Sequence, residues 1–343
     1  MPIRRVCGCL PRRGFLGAAA ELGLAALAGG AHAQAPQPFR IDVHHHLYPP
    51  DYLAGLGRHL KVPPVMSAWT PERSLGQMDR AGIRTAMLSI TAPGVWFGDP
   101  AEARRLARLS NEYAAGLKRD HLGRFGMYAV LPAPDLDGSL AEIAYALDTL
   151  HADGIGMFTN YGDKWLGDPA FAPIYEELNR RKAVLYTHPT DAPCCVGLVP
   201  GVADPMIEWG TDTTRSVATM VFNGFAGRYP DIRVIFSHAG GTMPFLIERF
   251  EFQATLAAYS KTLPDGVRPA LRHFLYDTAQ ASNPEAMGAL MKLVPVSQIL
   301  FGTDYPYRTC EEHVRNLAGL ALGPEDLAAI EAGNARRLMP QLA

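Results

Sequence analysis

His44 and His46 sit two residues apart in Ile41-Asp42-Val43-His44-His45-His46, a short run that opens on apolar residues. Alternation along a strand turns those two imidazoles to one face and His45 to the other. Two neutral imidazoles side by side begin a divalent-cation site, and the ion needs further nitrogen or oxygen ligands from other parts of the chain. Three later apolar runs each close on a residue of that kind. Val184-Leu185-Tyr186-Thr187 ends on His188, Val234-Ile235-Phe236-Ser237 on His238, and Ile299-Leu300-Phe301-Gly302-Thr303 on Asp304. Independent core histidines have no reason to gather at one end of successive strands, so these runs point to a metal centre that draws its remaining ligands from His188, His238 and Asp304.

Elements of two kinds must position them. Strand-like segments are expected at 39–47, 85–91, 125–131, 154–160, 183–188, 233–238, 273–278 and 299–304. Helical patterns fall between them, at 71–81, 100–118, 140–151, 169–182, 211–229, 243–259, 284–293 and from 311 to 338. Several helices open on proline, which suits a first helical turn. Strand runs such as Val184-Leu185-Tyr186 are apolar without alternation, as expected when both faces are covered. Eight βα repeats predict a (β/α)8 TIM barrel, whose active sites lie at the C-terminal strand ends. The histidine and aspartate motifs fall at the ends of strands one, five, six and eight. The longest insertions, 48–70 after strand one and 190–210 after strand five, carry Trp69 and Trp209 and are expected to roof a pocket on that face.

The chain has 343 residues, enough for one such barrel with an extension. Its formal net charge of −2, with 19% charged residues, predicts neither a nucleic-acid surface nor a disordered acidic tail, and leaves a small molecule as the expected ligand. Residues 1–35 read as an export signal: Arg12-Arg13-Gly14-Phe15-Leu16 is a twin-arginine pattern, followed by an alanine- and leucine-rich stretch ending Ala31-His32-Ala33. The barrel then occupies 36–343. The mature protein is expected to be periplasmic or secreted and free of the membrane, or cytoplasmic if the segment is no signal. Loss of that segment removes Cys7 and Cys9 and leaves Cys194, Cys195 and Cys310, which is no disulfide framework and is read as packing and loop residues.

Ile41-Asp42-x-His44-x-His46, Thr187-His188-Pro189, Phe236-Ser237-His238-Ala239-Gly240-Gly241 and Gly302-Thr303-Asp304-Tyr305-Pro306 occur in that order. Together they resemble the amidohydrolase superfamily, in its decarboxylase-like branch typified by aminocarboxymuconate semialdehyde, γ-resorcylate and 6-methylsalicylate decarboxylases. Asp42-Val43-His44-His45-His46-Leu47-x-Pro49-Pro50, Pro93 to Asp99 and Asp212-Thr213-Thr214-Arg215 look most like the 6-methylsalicylate group.

The resemblance implies metal ligands at His44, His46, His188 and Asp304, with His238 as an acid/base group beside them. It also implies that Arg249 reaches a neighbouring subunit's pocket, making a homodimer or larger assembly. Arg73 stands out of register with the arginines of the semialdehyde enzyme, which argues against a dicarboxylate substrate. Thr159 and Asn160 end strand four where binuclear relatives have a carboxylated lysine, so one ion per chain follows, Zn2+ or Mn2+.

The implied reaction is non-oxidative decarboxylation of an ortho-hydroxy aromatic carboxylate. Asp304 would protonate the ring carbon, His238 would share acid/base duty, and Trp96 and Phe97 would wall the ring. Arg215 is read as an ion-pairing helix residue. The alternatives are a mononuclear hydrolase of a lactone or amide, a hydratase, and a barrel that binds metal without catalysis.

Overall fold

The computed structural model describes residues 39–342. The export-signal reading of residues 1–35 therefore lies outside the described residues. Eight parallel strands form one sheet: β1 (Arg40–His46), β2 (Ile83–Ser89), β3 (Phe125–Val130), β4 (Gly154–Phe158), β5 (Val184–His188), β6 (Arg233–Phe236), β7 (Leu275–Asp277) and β8 (Ile299–Leu300). Each pairs with its successor in sequence. Backbone hydrogen bonds from Val43 N to Phe301 O (2.9 Å) and from Asp304 N to His44 O (2.8 Å) close β8 onto β1 and complete the barrel. Closure thus sets His44 and Asp304 against each other through the main chain.

Eight principal helices surround the strands: α1 (Pro71–Ala81), α2 (Pro100–Asp120), α3 (Leu136–Ala144), α4 (Ala172–Arg180), α5 (Glu208–Phe222), α6 (Ile247–Ala254), α7 (Pro284–Met291) and α8 (Cys310–Ala318). Their starts are written locally. Thr70, Asp99 and Asn283 each cap a helix with a side-chain oxygen and precede a proline that needs no hydrogen-bond acceptor in the first turn. Gly82, at φ 64°, ends α1 in the left-handed conformation.

Several long helical segments break where the sequence reading ran them on. The expected 211–229 helix stops at Phe222, and after Gly224 (φ 68°) a short turn, Phe225–Arg228, follows. The helices expected to close the chain from 311 to 338 are separate, one ending at Ala318 and the next opening at Pro324. The expected 140–151 helix starts earlier, at Leu136, and ends in a wide turn over Tyr145–Thr149.

The barrel interior holds Ile41, Val43, Met87, Tyr128, Tyr186, Ile235 and Leu300, and Ala335, Met339 and Leu342 of the C-terminal segment pack against them. A larger apolar layer between strands and helices surrounds this. The insertion after β1 is partly helical, at Pro50–Leu56 and Pro64–Ser67. Its Trp69 is buried in that outer layer with its ring against Tyr48, so this tryptophan is core and not pocket roof. No helix among the described residues is long and apolar enough to cross a membrane.

Candidate active site

His44, His46, His188 and Asp304 converge at the C-terminal end of the barrel, each buried, with one ligand atom apiece lying within 4.8 Å of all the others. His44 Nε2 is 3.2 Å from His46 Nε2 and 3.2 Å from Asp304 Oδ1, and His46 Nε2 is 2.9 Å from that oxygen. Ligands bound at 2.0–2.2 Å around one ion stand about 2.8–3.6 Å apart, from right-angled to tetrahedral arrangements, so this spacing suits a divalent cation.

The opposite nitrogens decide the tautomers. His44 Nδ1 lies 2.8 Å from Asp277 Oδ2, His188 Nδ1 lies 2.8 Å from the Pro189 carbonyl, and His46 Nδ1 faces Ser89 (3.1 Å to Oγ, 3.3 Å to the carbonyl). A carboxylate and a carbonyl only accept, so His44 and His188 carry their protons on Nδ1, and the Ser89 carbonyl draws His46 to the same choice. All three then offer an Nε2 lone pair to the common centre.

Charge follows from the same contacts. Burial works against a protonated His44, but the carboxylates of Asp277 and Asp304 overcome it and raise its pKa to about 10. Burial, with the neighbouring imidazoles, holds His188 well below the usual histidine range, and burial lowers His46 as well. Burial opposes ionisation of Asp304, yet His44, His238 and His46 hold its carboxyl well below the ordinary carboxylate range. The carboxylates of Asp277 and Asp304 thus favour positive charge where the three Nε2 atoms meet.

The two oxygens of Asp304 face different ways. Oδ1 meets the imidazoles, whereas Oδ2 accepts a hydrogen bond from Gln280 Nε2 and lies 3.5 Å from His238 Nε2. That nitrogen of His238 has no hydrogen-bond partner among the described residues. His238 is placed by its backbone: its N–H donates to Asp277 Oδ1 at 2.9 Å, and His238, Ala239, Gly240 and Gly241 all have positive φ, at 52°, 56°, 76° and 69°. Gly241 is required there, because a Cβ would stand 2.0 Å from the Gly210 carbonyl oxygen. Asp304 itself has φ 61°, and such left-handed non-glycine residues collect at functional sites.

Beside the cluster, a cavity of about 200 Å3 is lined by Val95, Trp96, Leu131, Phe158 and, on its polar side, Asn160 and Asp191. Phe158 adjoins the cluster, its ring centroid 6.4 Å from that of His188. Trp96, expected to wall the ring, lines this cavity. Phe97 is not among the residues lining this cavity; its ring stacks on His59, with centroids 4.2 Å apart. Trp209, in the first turn of α5, has its ring centroid 5.6 Å from that of His188 and donates from Nε1 to Asp191, which lines the cavity. Arg215 pairs with Glu208 and Asp212 at 3.3 and 3.5 Å. Arg249 is exposed on α6 and is not brought to this chain's own cluster.

Sequence reasoning missed Asp277 and Gln280. Asp277 was legible in form: Leu275-Tyr276-Asp277 is one more apolar strand closing on a ligand-type residue. Gln280 carries no such signal, since its role arises from a left-handed turn (φ 51°) after β7.

The chain matches the Amidohydrolase family over residues 41–340. It is 37% identical over 328 residues to Decarboxylase yanB of Aspergillus niger, covering 88% of each chain. To the 6-methylsalicylic acid decarboxylase of Penicillium expansum it is 34% identical over 313 residues, covering 88% of this chain and 97% of the relative. Among solved structures, a dihydroxybenzoic acid decarboxylase from Polaromonas sp. JS666, holding manganese and the inhibitor 2-nitroresorcinol, superposes with a TM-score of 0.76 at 22% identity, over 88% of this chain and 96% of that one.

Proposed function

The chain belongs to the amidohydrolase family, and on that premise we propose that it is a metal-dependent carboxy-lyase that releases carbon dioxide from an ortho-hydroxy aromatic carboxylate such as 6-methylsalicylate. The observation that carries this reading is the division of labour at Asp304, with one oxygen turned to three imidazoles and the other to His238 beside an aromatic-walled cavity. His44, His46, His188 and Asp304 Oδ1 would hold one divalent ion, which when bound supplies positive charge to a carboxylate and adjacent phenolate. Three nitrogens and one oxygen suit zinc, with manganese the alternative.

The proton chemistry then belongs to the chain. Asp304 rests ionised, so it can take the phenolic proton as substrate binds. Oδ2 returns that proton to the ring carbon bearing the carboxylate, and carbon dioxide leaves with restoration of aromaticity. Protonation ahead of C–C cleavage avoids a free aryl anion. His238 Nε2, without a hydrogen-bond partner among the described residues and 3.5 Å from Oδ2, shares and relays the proton. Val95, Leu131, Phe158 and Trp96 supply an apolar wall for the ring, and Asp191 disfavours a second carboxylate.

The test is carbon dioxide release from purified protein offered 6-methylsalicylate and γ-resorcylate, with metal content measured on the same sample. Release with about one ion per chain supports the reading. Metal-loaded protein that turns over lactones and releases no carbon dioxide moves it to a hydrolase.

Two further parts of the proposal concern the molecule's surroundings. Arg249 lies exposed on α6, and Phe245 and Phe252 near it are 89% and 69% exposed, which favours a second copy of the chain as the partner of this face. Light scattering that returns a monomer under assay conditions overturns this. Twin-arginine export of residues 1–35 predicts that R12K/R13K protein stays in the cytoplasm; equal export of both forms overturns the signal.

A further inference from the structure

Asp212 on α5 is fully buried and gathers donors from three residues around the end of β4. Thr159 donates to it from Oγ1, Asn160 from Nδ2 at 2.7 Å, and Trp165 from Nε1 at 2.5 Å. Asn160 and Trp165 face each other across a short antiparallel hairpin, so the carboxylate ties both of its strands to α5. Asn160 Nδ2 makes a second bond to the Thr190 carbonyl oxygen at 3.2 Å. Both partners can only accept, so the amide orientation is determined and both of its N–H groups are used. Asn160 also lines the cavity beside His188, and no donor among the described residues reaches its Oδ1. The cavity has Asp191 on the same polar side and neither lysine nor arginine in its lining.

We infer that Asn160 is a specificity-determining residue, held by Asp212 to present an acceptor oxygen to the ring, so that among the ortho-hydroxybenzoates this site accepts, those carrying a further hydrogen-bond donor, a second ring hydroxyl that reaches this cavity, are preferred over 6-methylsalicylate itself. This rests on the decarboxylase reading above for the ortho-hydroxy carboxylate. The rest follows from the cavity: an acceptor and a carboxylate favour a donor, repel an additional anion, and leave the apolar wall for a methyl or the ring edge. A neutral hydrogen bond to an acceptor that otherwise goes unmade separates matched ligands by roughly three- to tenfold.

The matched pair is 2,4-dihydroxy-6-methylbenzoate and 2-hydroxy-6-methylbenzoate, which differ by one hydroxyl, with the 4-methoxy compound as an acceptor-only control. Metal-loaded wild-type protein is expected to favour the dihydroxy acid by roughly three- to tenfold in kcat/KM over both others. Asn160→Leu removes that preference, so that the ratio of kcat/KM for the dihydroxy over the monohydroxy acid falls to about one whatever the absolute rates. Because this variant also takes a donor from buried Asp212, the wild-type comparison stands as the deciding measurement if the variant fails to fold. Equal kcat/KM for all three acids overturns the inference and leaves the decarboxylase reading intact. If no acid releases carbon dioxide, calorimetry with the corresponding phenols decides: tighter binding of 5-methylbenzene-1,3-diol than of 3-methylphenol supports the Asn160 acceptor without the reaction, and equal binding overturns both.

Discussion

Replacing Asp277 with Asn tests the tautomer argument most directly. The carboxylate makes three contacts: Oδ2 accepts from His44 Nδ1 at 2.8 Å, and Oδ1 accepts from the backbone N–H groups of His238 (2.9 Å) and Ala279 (3.0 Å). An asparagine keeps its single carbonyl oxygen on the two backbone donors, because its NH2 group cannot accept from them. The NH2 then faces His44 Nδ1, which must become an acceptor. The proton of neutral His44 moves to Nε2, the atom needed for the ion, while the loop bearing His238 stays in place. Loss of an outer partner of this kind costs about 10–100-fold in metal affinity, or about 1.4–2.7 kcal/mol. The assay is competitive zinc titration against a chelator, with a thermal melt of the metal-free protein to confirm folding. Affinity within a factor of two of wild type in a folded D277N protein would refute the claim that Asp277 sets the His44 tautomer. A loss confined to carbon dioxide release would place Asp277 on the His238 side instead.

The remaining predictions address the proton, the packing and the reaction. In metal-free protein, the pKa of His44, raised to about 10, contributes stability that is complete below the ordinary value of 6.5 and is lost as pH rises through 10. The melting temperature of chelator-treated protein should therefore fall across pH 6.5–10, and metal loading should flatten that slope because the ion replaces the proton; parallel slopes with and without metal would contradict this. Gly302→Ala puts a Cβ 2.9 Å from His44 Cβ and 3.2 Å from Asp277 Cβ, so it should cost about 1–3 kcal/mol and lower metal content, both measurable on purified variant protein. Asp304→Asn should abolish turnover even in the fraction that retains metal, since an amide cannot carry the proton; near-normal carbon dioxide release would remove Asp304 from the chemistry.

What could be read from the sequence follows from what is local. His44, His188, His238 and Asp304 each end an apolar run, and parallel strands buried on both faces advertise themselves by lacking alternation, so the eight strands and the gathering of those residues at one end were legible. Helix starts were legible for the same reason: capping side chains and N1 prolines act within a few residues. Helix ends were less so. Gly224 breaks a pattern whose periodicity runs on to Tyr229 because the apolar residues beyond the break still pack inward.

The parts that stayed hidden depend on contacts between distant segments. Asn160 reads in sequence only as the absence of a lysine, and nothing local shows that Asp212, fifty-two residues on, turns its amide. Phe97 reads as aromatic cavity wall until the turn at Gly98 (φ 90°) and the proximity of His59 are known. The division is physical. Ligand identity is announced by residue type at a strand end, whereas ligand protonation and substrate choice are set by partners such as Asp277 and Asp212, whose own types are ordinary. Those partners are therefore where substrate preference can change while the four ligands stay in place, and exchanging the Asn160–Asp212 pair should alter substrate preference without displacing the metal.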